Sequence, residues 1–520
     1  MKQESILKGT LILTISGLFN RGLGFILRVY LAHTLGDQGL GLFQMVLPLF
    51  FTFTLLATAG FPQALAKIIP EKLAENKVSS VFRLFNSTLV FTIFTGLIGA
   101  VILYLSADFF TTFFFNNDRV YPALLSLVPL VFICPISSAL NGFFQGCQTM
   151  KPTAIARTTE QINRFIVTIV LMSLWTGLEV KYRAAIPGLG MFIGELTGLF
   201  LLFFLFYREK SLITSKNHSE KIRPEKCSFF SSFLTLGRFA LPVTSGRLIH
   251  SLMQTGRAVL IPAQLQKSGL ESSRAAAIYG QLGGMVQQVI LLPTVFTLSF
   301  TTSLIPSLSR AYSQNKLEYI KNKYRDIIRF VTYLSFPLCS LFFLYGREIC
   351  SLLFSHPEAG EILSGLAFSA PFIYYLQVSS GLLKSIGHPG LGLRNLALGC
   401  LFQLTGIYFL VEIPSLRIQG ALLSLTLGYI LSAGLNYLTL GEKIGFPSNY
   451  SLLYLKPLLN SGLLFFVNLL PLRFLLTYFN LRAEGFFLLV LLFFNLLLYF
   501  WLMYISNTIQ KSDLHKVNIL

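Results

Sequence analysis

The chain has 520 residues, of which 53% are hydrophobic and only 12% are charged, and 50 are phenylalanine. This charged fraction is about half that of soluble proteins, and apolar runs of about 18 or more residues recur from end to end. The composition therefore excludes a soluble globular protein and indicates repeated transmembrane helices. The formal net charge of +19 is compatible either with nucleic-acid binding or with positively charged cytoplasmic loops.

Apolar segments follow one another along the whole chain, each long enough to cross a bilayer as a helix. They cover residues 9–33, 40–63, 85–107, 121–146, 154–176, 185–207, 236–261, 278–307, 327–346, 362–383, 391–411, 418–440, 457–478 and 485–505. The first is too long for a signal peptide and contains Arg21 and Arg28. The sequence predicts an all-α polytopic membrane protein with about 14 transmembrane helices.

The polar gaps between these segments alternate in their content of Lys and Arg. One alternating set holds 27 of the 41 Lys and Arg residues and the other holds 9. Cytoplasmic loops carry the excess of positive charge, so both termini and the 208–235 loop are predicted to be cytoplasmic. The same distribution accounts for most of the net charge, and no nucleic-acid partner is expected.

The longest gap, residues 208–235, divides the segments into six and then eight. We expect an N-terminal lobe at 1–207, a cytoplasmic linker at 208–235, a C-terminal lobe at 236–440, and two further helices with a cytoplasmic tail at 441–520. Because six is even, the two six-helix lobes would be parallel repeats. Residues 47–77 resemble 292–316, although two similar Pro-kinked spans can also arise by chance. Each has paired prolines with a structural or gating role: Pro48, Pro62, Pro293 and Pro306.

The first and seventh predicted spans contain arginines but no acidic residue. A charge inside a span costs roughly 2.5–3.5 kcal/mol and normally faces protein or a wet cavity. Arg21 and Arg28 share one helix face. A substrate-binding central cavity is predicted, lined by Arg21, Arg28, Arg247, His250, Gln254, Arg257, Gln281 and Gln288. The alternative is that these groups only join helices by hydrogen bonds or extend to the membrane surface.

Two acidic residues, Glu160 and Glu195, fall inside the spans. Glu160 and Arg164 form an i→i+4 pair in the favoured orientation, which suggests a structural or gating role, with substrate contact as the alternative. Glu195 lies beside a stripe of Gly190, Gly194 and Gly198, which favours helix packing over proton carriage.

No cofactor, metal or catalytic group is predicted. The six cysteines have neither metal nor redox spacing. Acidic residues of the short outer loops have no neighbouring histidine of the kind that a membrane glycosyltransferase or polymerase needs, so no enzyme is expected.

The stretch GFFQGCQTMKPTAIARTTEQINR, residues 142–164, resembles the corresponding segment of the stage V sporulation protein B family of polysaccharide transporters. Residues 59–71 and 279–311 resemble the same family. The wider superfamily includes the lipid II flippase MurJ, multidrug antiporters and O-antigen translocases, and NRGLGFILR at 20–28 is similar to the first-span arginine pattern of MurJ. Ala156 and Arg157 depart from the family pattern.

This resemblance implies two six-helix lobes that move a lipid-linked saccharide outward across a bacterial plasma membrane. The saccharide would be a cell-wall, capsule or spore precursor on a polyprenyl diphosphate, and cell-wall synthesis proteins are possible partners. A cation-coupled multidrug antiporter is the first alternative, although no acid lies in the first or seventh span. A non-transporting membrane partner in spore or cell-wall assembly is the second.

Overall fold

The computed structural model describes residues 6–75, 77–216, 229–447, 449–468 and 485–508. These residues form helices joined by short turns, and no β-strand occurs among them. Residues 217–228 of the predicted linker and residues 469–484 lie outside the described residues.

The chain divides into two compact units, each described separately. The N-terminal unit comprises Met1–Ala263 and Glu271–Gly280, and the C-terminal unit comprises Gln264–Leu270 and Gln281–Leu520. This division places most of the seventh span with the first six, whereas the sequence assigned that span to the second lobe. The predicted lobe boundaries stay a prediction.

The helices of the N-terminal unit follow the apolar segments of the sequence. They are α1 (Ile6–Thr58), α2 (Phe61–Ala74), α3 (Val78–Leu105), α4 (Tyr121–Gly146), α5 (Met150–Leu174), α6 (Ile186–Lys216) and most of α7 (Phe229–Lys267). Short helical turns occur at Ala107–Phe109, Phe110–Phe114, Asp118–Val120 and Val180–Arg183.

The C-terminal unit begins within a helix that changes from α-helical to π-helical along its length. This helix, α8 (Ser272–Leu291), belongs to the N-terminal unit as far as Gly280 and to the C-terminal unit from Gln281, where a π-helical stretch covers Gln281–Val286. The helices after it are α9 (Thr294–Ser313), α10 (Leu317–Leu344), α11 (Gly346–Phe354), α12 (Ala359–Ser385), α13 (Pro389–Leu410), α14 (Ile418–Ile444), α15 (Lys456–Val467, preceded by a π-helical turn at Ser451–Leu455) and α16 (Gly485–Ile505).

Backbone breaks lie close to the prolines that the sequence singled out. α1 is interrupted at Gly36, whose φ of 69° separates the first two predicted spans. Ala59 and Gly60, with φ of 45° and 74°, separate α1 from α2, and Pro62 then begins α2. α8 and α9 meet at Pro293 with a bend of 50°. Two of the four prolines therefore stand at helix ends, while Pro48 and Pro306 lie inside α1 and α9.

Eight described helices are long and apolar enough to cross a membrane, or nine if the bent pair of α8 and α9 counts as one span. The first of these runs over Ile12–Ala74 and includes two predicted spans. The molecule is a polytopic all-α membrane protein, and the count of 14 spans stays a prediction.

Apolar packing holds α2, α3, α4 and α6 together within the N-terminal unit. The largest buried side chains in this core include Phe61, Phe85, Phe143 and Phe144. Close helix approach is possible where glycine replaces a side chain. A β-carbon on Gly142 of α4 would lie 2.5 Å from the Pro62 carbonyl oxygen. This packing fixes α4 and α6 as supports for the polar residues of α5.

Candidate functional site

Polar side chains join α1 to α5 inside the N-terminal unit. Ser16 Oγ lies 2.9 Å from Thr158 Oγ1 and 3.3 Å from the Ala154 carbonyl oxygen. Two turns further along α1, a β-carbon on Gly24 would lie 3.5 Å from Gln161 Nε2. The two helix faces that the sequence singled out separately therefore border each other.

The cations of these faces form what we call the cationic seam: Arg21, Arg28 and Arg164. Arg28 and Arg164 are close enough for their guanidinium charges to repel each other. Arg21 lies two helical turns before Arg28 on the face that contains Gly24. Both α1 arginines have exposed side chains, and the Nε atom of Arg164 is buried without a hydrogen-bond partner among the described residues. Guanidinium groups gathered in this way in a membrane-spanning unit attract an anion.

The acids lie where α5 packs against α6, and Arg164 Cβ lies on the same face of α5. The Glu160 and Glu195 carboxyl groups are within hydrogen-bonding reach of each other. The predicted glycine stripe brings the helices this close. A β-carbon on Gly194 would lie 2.7 Å from the Glu160 carbonyl oxygen, and one on Gly198 would lie 3.3 Å from Glu160 Cβ. The third glycine, Gly190, faces Thr168. Arg164 acts electrostatically on both acids, so the predicted Glu160–Arg164 relationship includes a third member, Glu195.

The predicted face of α7 divides into exposed and buried parts. Arg247 and His250 are exposed, whereas Arg257 is only 6% exposed. With its amide oxygen turned toward α7, Gln63 accepts a hydrogen bond from Arg247 Nη1 at 2.7 Å. Arg257 Nη1 donates to Gln254 Oε1 at 3.5 Å. Arg257 is thus part of the packing, and Arg247 and His250 are the more accessible members of this face.

The α7 face is also tied to α1 through hydroxyl groups. Thr52 Oγ1 lies 2.8 Å from Ser251 Oγ and 3.1 Å from Thr255 Oγ1, while it donates to the Pro48 carbonyl at 2.9 Å. The carbonyl of Pro48 thereby gains a side-chain donor close to the proline. This contact supports a structural role for Pro48.

In the C-terminal unit, the two predicted glutamines begin and follow the π-helical stretch of α8. Gln281 is buried, and Gln288 Nε2 donates to the Gly283 carbonyl at 2.9 Å. Pro293 stands at the bend that follows, and Pro306 is exposed on α9. The predicted cavity lined by residues of both halves stays a prediction.

A buried amide cluster in the C-terminal unit was not singled out from the sequence. Asn395 Nδ2 donates to Asn436 Oδ1 and Thr439 Oγ1, both at 3.0 Å, and Asn436 Nδ2 donates to Ser379 Oγ at 2.9 Å. These contacts join α12, α13 and α14. The sequence did offer a signal for this cluster, because asparagines inside apolar segments form interhelical hydrogen bonds in membranes.

Within the described ranges, no group of three or more His, Cys, Asp or Glu side chains is placed to hold a metal ion.

Comparison with known proteins identifies the family. Residues 6–312 match the model of the polysaccharide biosynthesis protein family, which is more than half of the chain. The chain belongs to this family. Residues 282–409 also match the MatE model.

Curated relatives cover most of the chain. Stage V sporulation protein B of Bacillus subtilis (strain 168) is 29% identical over 445 residues, which is 85% of each chain. The lipid II flippase MurJ of the same organism is 24% identical over 477 residues, 85% of this chain and 84% of that one. These relatives confirm the resemblance found in the sequence.

Solved structures share the fold. A lipid II flippase MurJ in an inward closed conformation has a TM-score of 0.70 at 15% identity, covering 95% of this chain and 98% of that chain. An inward-facing multidrug resistance MATE family transporter of the MOP superfamily has a TM-score of 0.66 at 13% identity, covering 81% and 94%. The chain therefore shares the fold of these two multi-pass membrane proteins.

Proposed function

We propose that this family member exports a lipid-linked saccharide, moving its polyprenyl-diphosphate head group from the inner to the outer leaflet by alternating access. The observation that carries the proposal is the cationic seam between α1 and α5. Three guanidiniums lie on neighbouring faces of two membrane-spanning helices, and two of them, Arg28 and Arg164, repel each other. A bound anion would lower this repulsion during part of the cycle.

The chemistry of the substrate matches this arrangement. A diphosphate carries about two negative charges, and guanidinium groups bind phosphate oxygens through paired hydrogen bonds. Gln161 and Thr158 lie along the same α1–α5 contact and offer hydrogen-bonding groups suited to a saccharide. The lipid tail needs no polar site because it stays in hydrocarbon.

Helix breaks supply places where the helices can bend. Positive φ values at Ala59 and Gly60 uncouple α1 from α2, and the 50° bend at Pro293 uncouples α8 from α9. In secondary transporters, alternating access commonly depends on bending of the chain at the ends of helices. Both units therefore contain a break of this kind.

A cation-coupled drug antiporter is the second candidate, and the Glu160–Glu195 pair is the observation that favours it. An acid pair can bind a coupling cation. The guanidinium of Arg164 interacts with the same acids, however, and would repel a cationic drug. The anionic substrate is therefore the better match.

The test is reconstitution of the purified protein into liposomes with a labelled polyprenyl-diphosphate saccharide in one leaflet. We expect transfer of the intact lipid, and its loss in Arg28→Ala. Arg119→Ala, which removes an exposed arginine outside the helices of the seam, is the matched control. Transport of a cationic dye instead of the lipid would favour the antiporter, chemical conversion of the lipid would indicate an enzyme, and neither result would favour a non-transporting assembly partner.

A further inference from the structure

The acid pair of α5 and α6 is not explained by helix packing alone. The glycine stripe already allows close approach, and carboxyl groups are costly in a membrane. Glu160 and Glu195 nevertheless face each other across the α5–α6 contact, close to where the Gly194 backbone approaches the Glu160 carbonyl oxygen. Any apolar pair would pack there without this cost.

Two carboxyl groups at hydrogen-bonding distance share a proton. When both carboxyl groups are ionised, neither can donate a hydrogen bond and their negative charges repel each other. A single bound proton supplies a hydrogen-bond donor and removes one of the two charges. The two sites then titrate as a pair rather than as separate residues. The geometry therefore favours one bound proton in the resting state.

A second observation lies on α4. Ser137 is only 4% exposed. It faces Glu195. The Ser137 hydroxyl can donate a hydrogen bond to the Glu195 carboxylate that forms when the shared proton leaves. Glu195 therefore has a hydrogen-bond partner in both states: Glu160 when the proton is bound and Ser137 when it is not.

The charged groups around Glu160 and Glu195 determine which side chain responds when the shared proton binds or leaves. On α5 these are Arg157 and Arg164, on α4 the nearby titratable group is Cys134, and from α1 Arg28 reaches Arg164. When the pair holds its proton, its single negative charge is balanced by one guanidinium. When the proton leaves, two carboxylates attract Arg164 and hold it toward α6.

We propose that Glu160 and Glu195 form a proton-binding switch that determines whether Arg164 is available to the anionic head group. The protonated pair leaves Arg164 free to act with Arg28, and the ionised pair withdraws it. By linkage, an anion at the cationic seam favours proton uptake, and a bound proton favours the anion. This inference rests on the proposed function, because it assigns an anionic ligand to the seam.

The test is binding of a polyprenyl diphosphate to the purified full-length protein at a series of pH values. Wild-type affinity is expected to fall as pH rises, by at most about tenfold per pH unit for one linked proton. In Glu160→Gln, the glutamine amide donates permanently to Glu195 and mimics the protonated pair. This variant should keep the low-pH affinity and lose the pH dependence, and Glu195→Gln should do the same.

The matched control is Glu179→Gln, which alters an exposed acid and should keep the wild-type pH dependence. Titration of the ligand itself is common to all four proteins and cancels in the comparison. An unchanged pH dependence in both glutamine variants, or none in the wild type beyond that of the ligand, would overturn the switch.

An infrared measurement separates this inference from the proposed function. Protonated carboxylic acids absorb separately from carboxylates, and the wild type should show such a band at neutral pH that Glu160→Gln and Glu195→Gln both remove. A wild type that binds no diphosphate at any pH but shows this band would refute the anionic substrate while supporting the proton-sharing pair. Absence of the band would refute the pair itself.

Discussion

Ser16 on α1 and Thr158 on α5 place their hydroxyl oxygens 2.9 Å apart, although 142 positions separate them in the chain. This contact aligns the arginine face of α1 with the polar face of α5. Gln161, one turn beyond Thr158, then lies opposite Gly24, and Arg164 lies near Arg28. The cationic seam is thus a consequence of how two helices of one unit pack.

Replacing the accessible arginines is expected to stop transport without preventing folding. Arg21→Ala or Arg247→Ala removes the guanidinium of an exposed residue. Each variant should reach near-normal membrane levels but fail to complement a deletion strain. Arg21→Lys should restore only part of the activity, because lysine retains the charge but not the paired hydrogen-bonding geometry. Full complementation by the double alanine variant would contradict an anion-binding role.

Because Arg257 is buried, its replacement is expected to reduce folding stability as well as transport. Its side chain is 6% exposed and contacts Gln254, so Arg257→Ala should lower the thermal stability of the protein as well as its transport. Unfolding of detergent-purified protein, compared with Arg247→Ala, measures this difference. Equal stability of the two variants would show that Arg257 is not part of the packing.

The sequence predicted the order of the helices and the α5–α6 glycine stripe, because apolar runs and small-residue spacing are properties of single segments. It did not predict the acid pair. Periodicity relates Glu160 to Arg164 on the same helix, whereas Glu195 lies 35 positions later and approaches only through tertiary packing. The same limit applies to the Asn395–Asn436 cluster. The Gly36 interruption explains why one continuous helical run contains two predicted spans.

The buried amide cluster should stabilise the C-terminal unit. Asn436→Leu removes hydrogen bonds to Asn395 and Ser379, and interhelical hydrogen bonds in membranes contribute about 0.6 and up to about 1.7 kcal/mol each. We expect a lower midpoint of thermal unfolding. Asn395→Leu combined with Asn436→Leu should cost less than the sum of the single changes, because neither amide is then left without its partner. Additive losses would show that the two amides act independently.

The predicted orientation is testable through Cys227, which lies outside the described residues. The distribution of Lys and Arg places the 208–235 loop in the cytoplasm. An impermeant thiol reagent applied to intact cells should leave Cys227 unlabelled until the cells are lysed. Labelling before lysis would reverse the assigned orientation of all loops.

The glycine stripe gives the most direct test of the α5–α6 contact. A β-carbon on Gly194 would lie 2.7 Å from the Glu160 carbonyl oxygen and 2.9 Å from Arg164 Cβ, and neither atom is the end of a flexible side chain. The helices must therefore separate in Gly194→Ala, at a cost of about 1–3 kcal/mol. Separation also moves the Glu160 and Glu195 carboxyls apart, so the infrared band of the protonated acid should weaken in the same variant.

Gly434→Ala is the matched control, because nothing lies within 4 Å of its added β-carbon on α14. Alanine is the better helix former by about 0.5–1 kcal/mol, so this variant should be at least as stable as the wild type. Thermal unfolding of the three proteins in one detergent measures both effects. If Gly194→Ala matches Gly434→Ala in stability, α5 and α6 are not in close contact, and the carboxyl pair that depends on their contact cannot form.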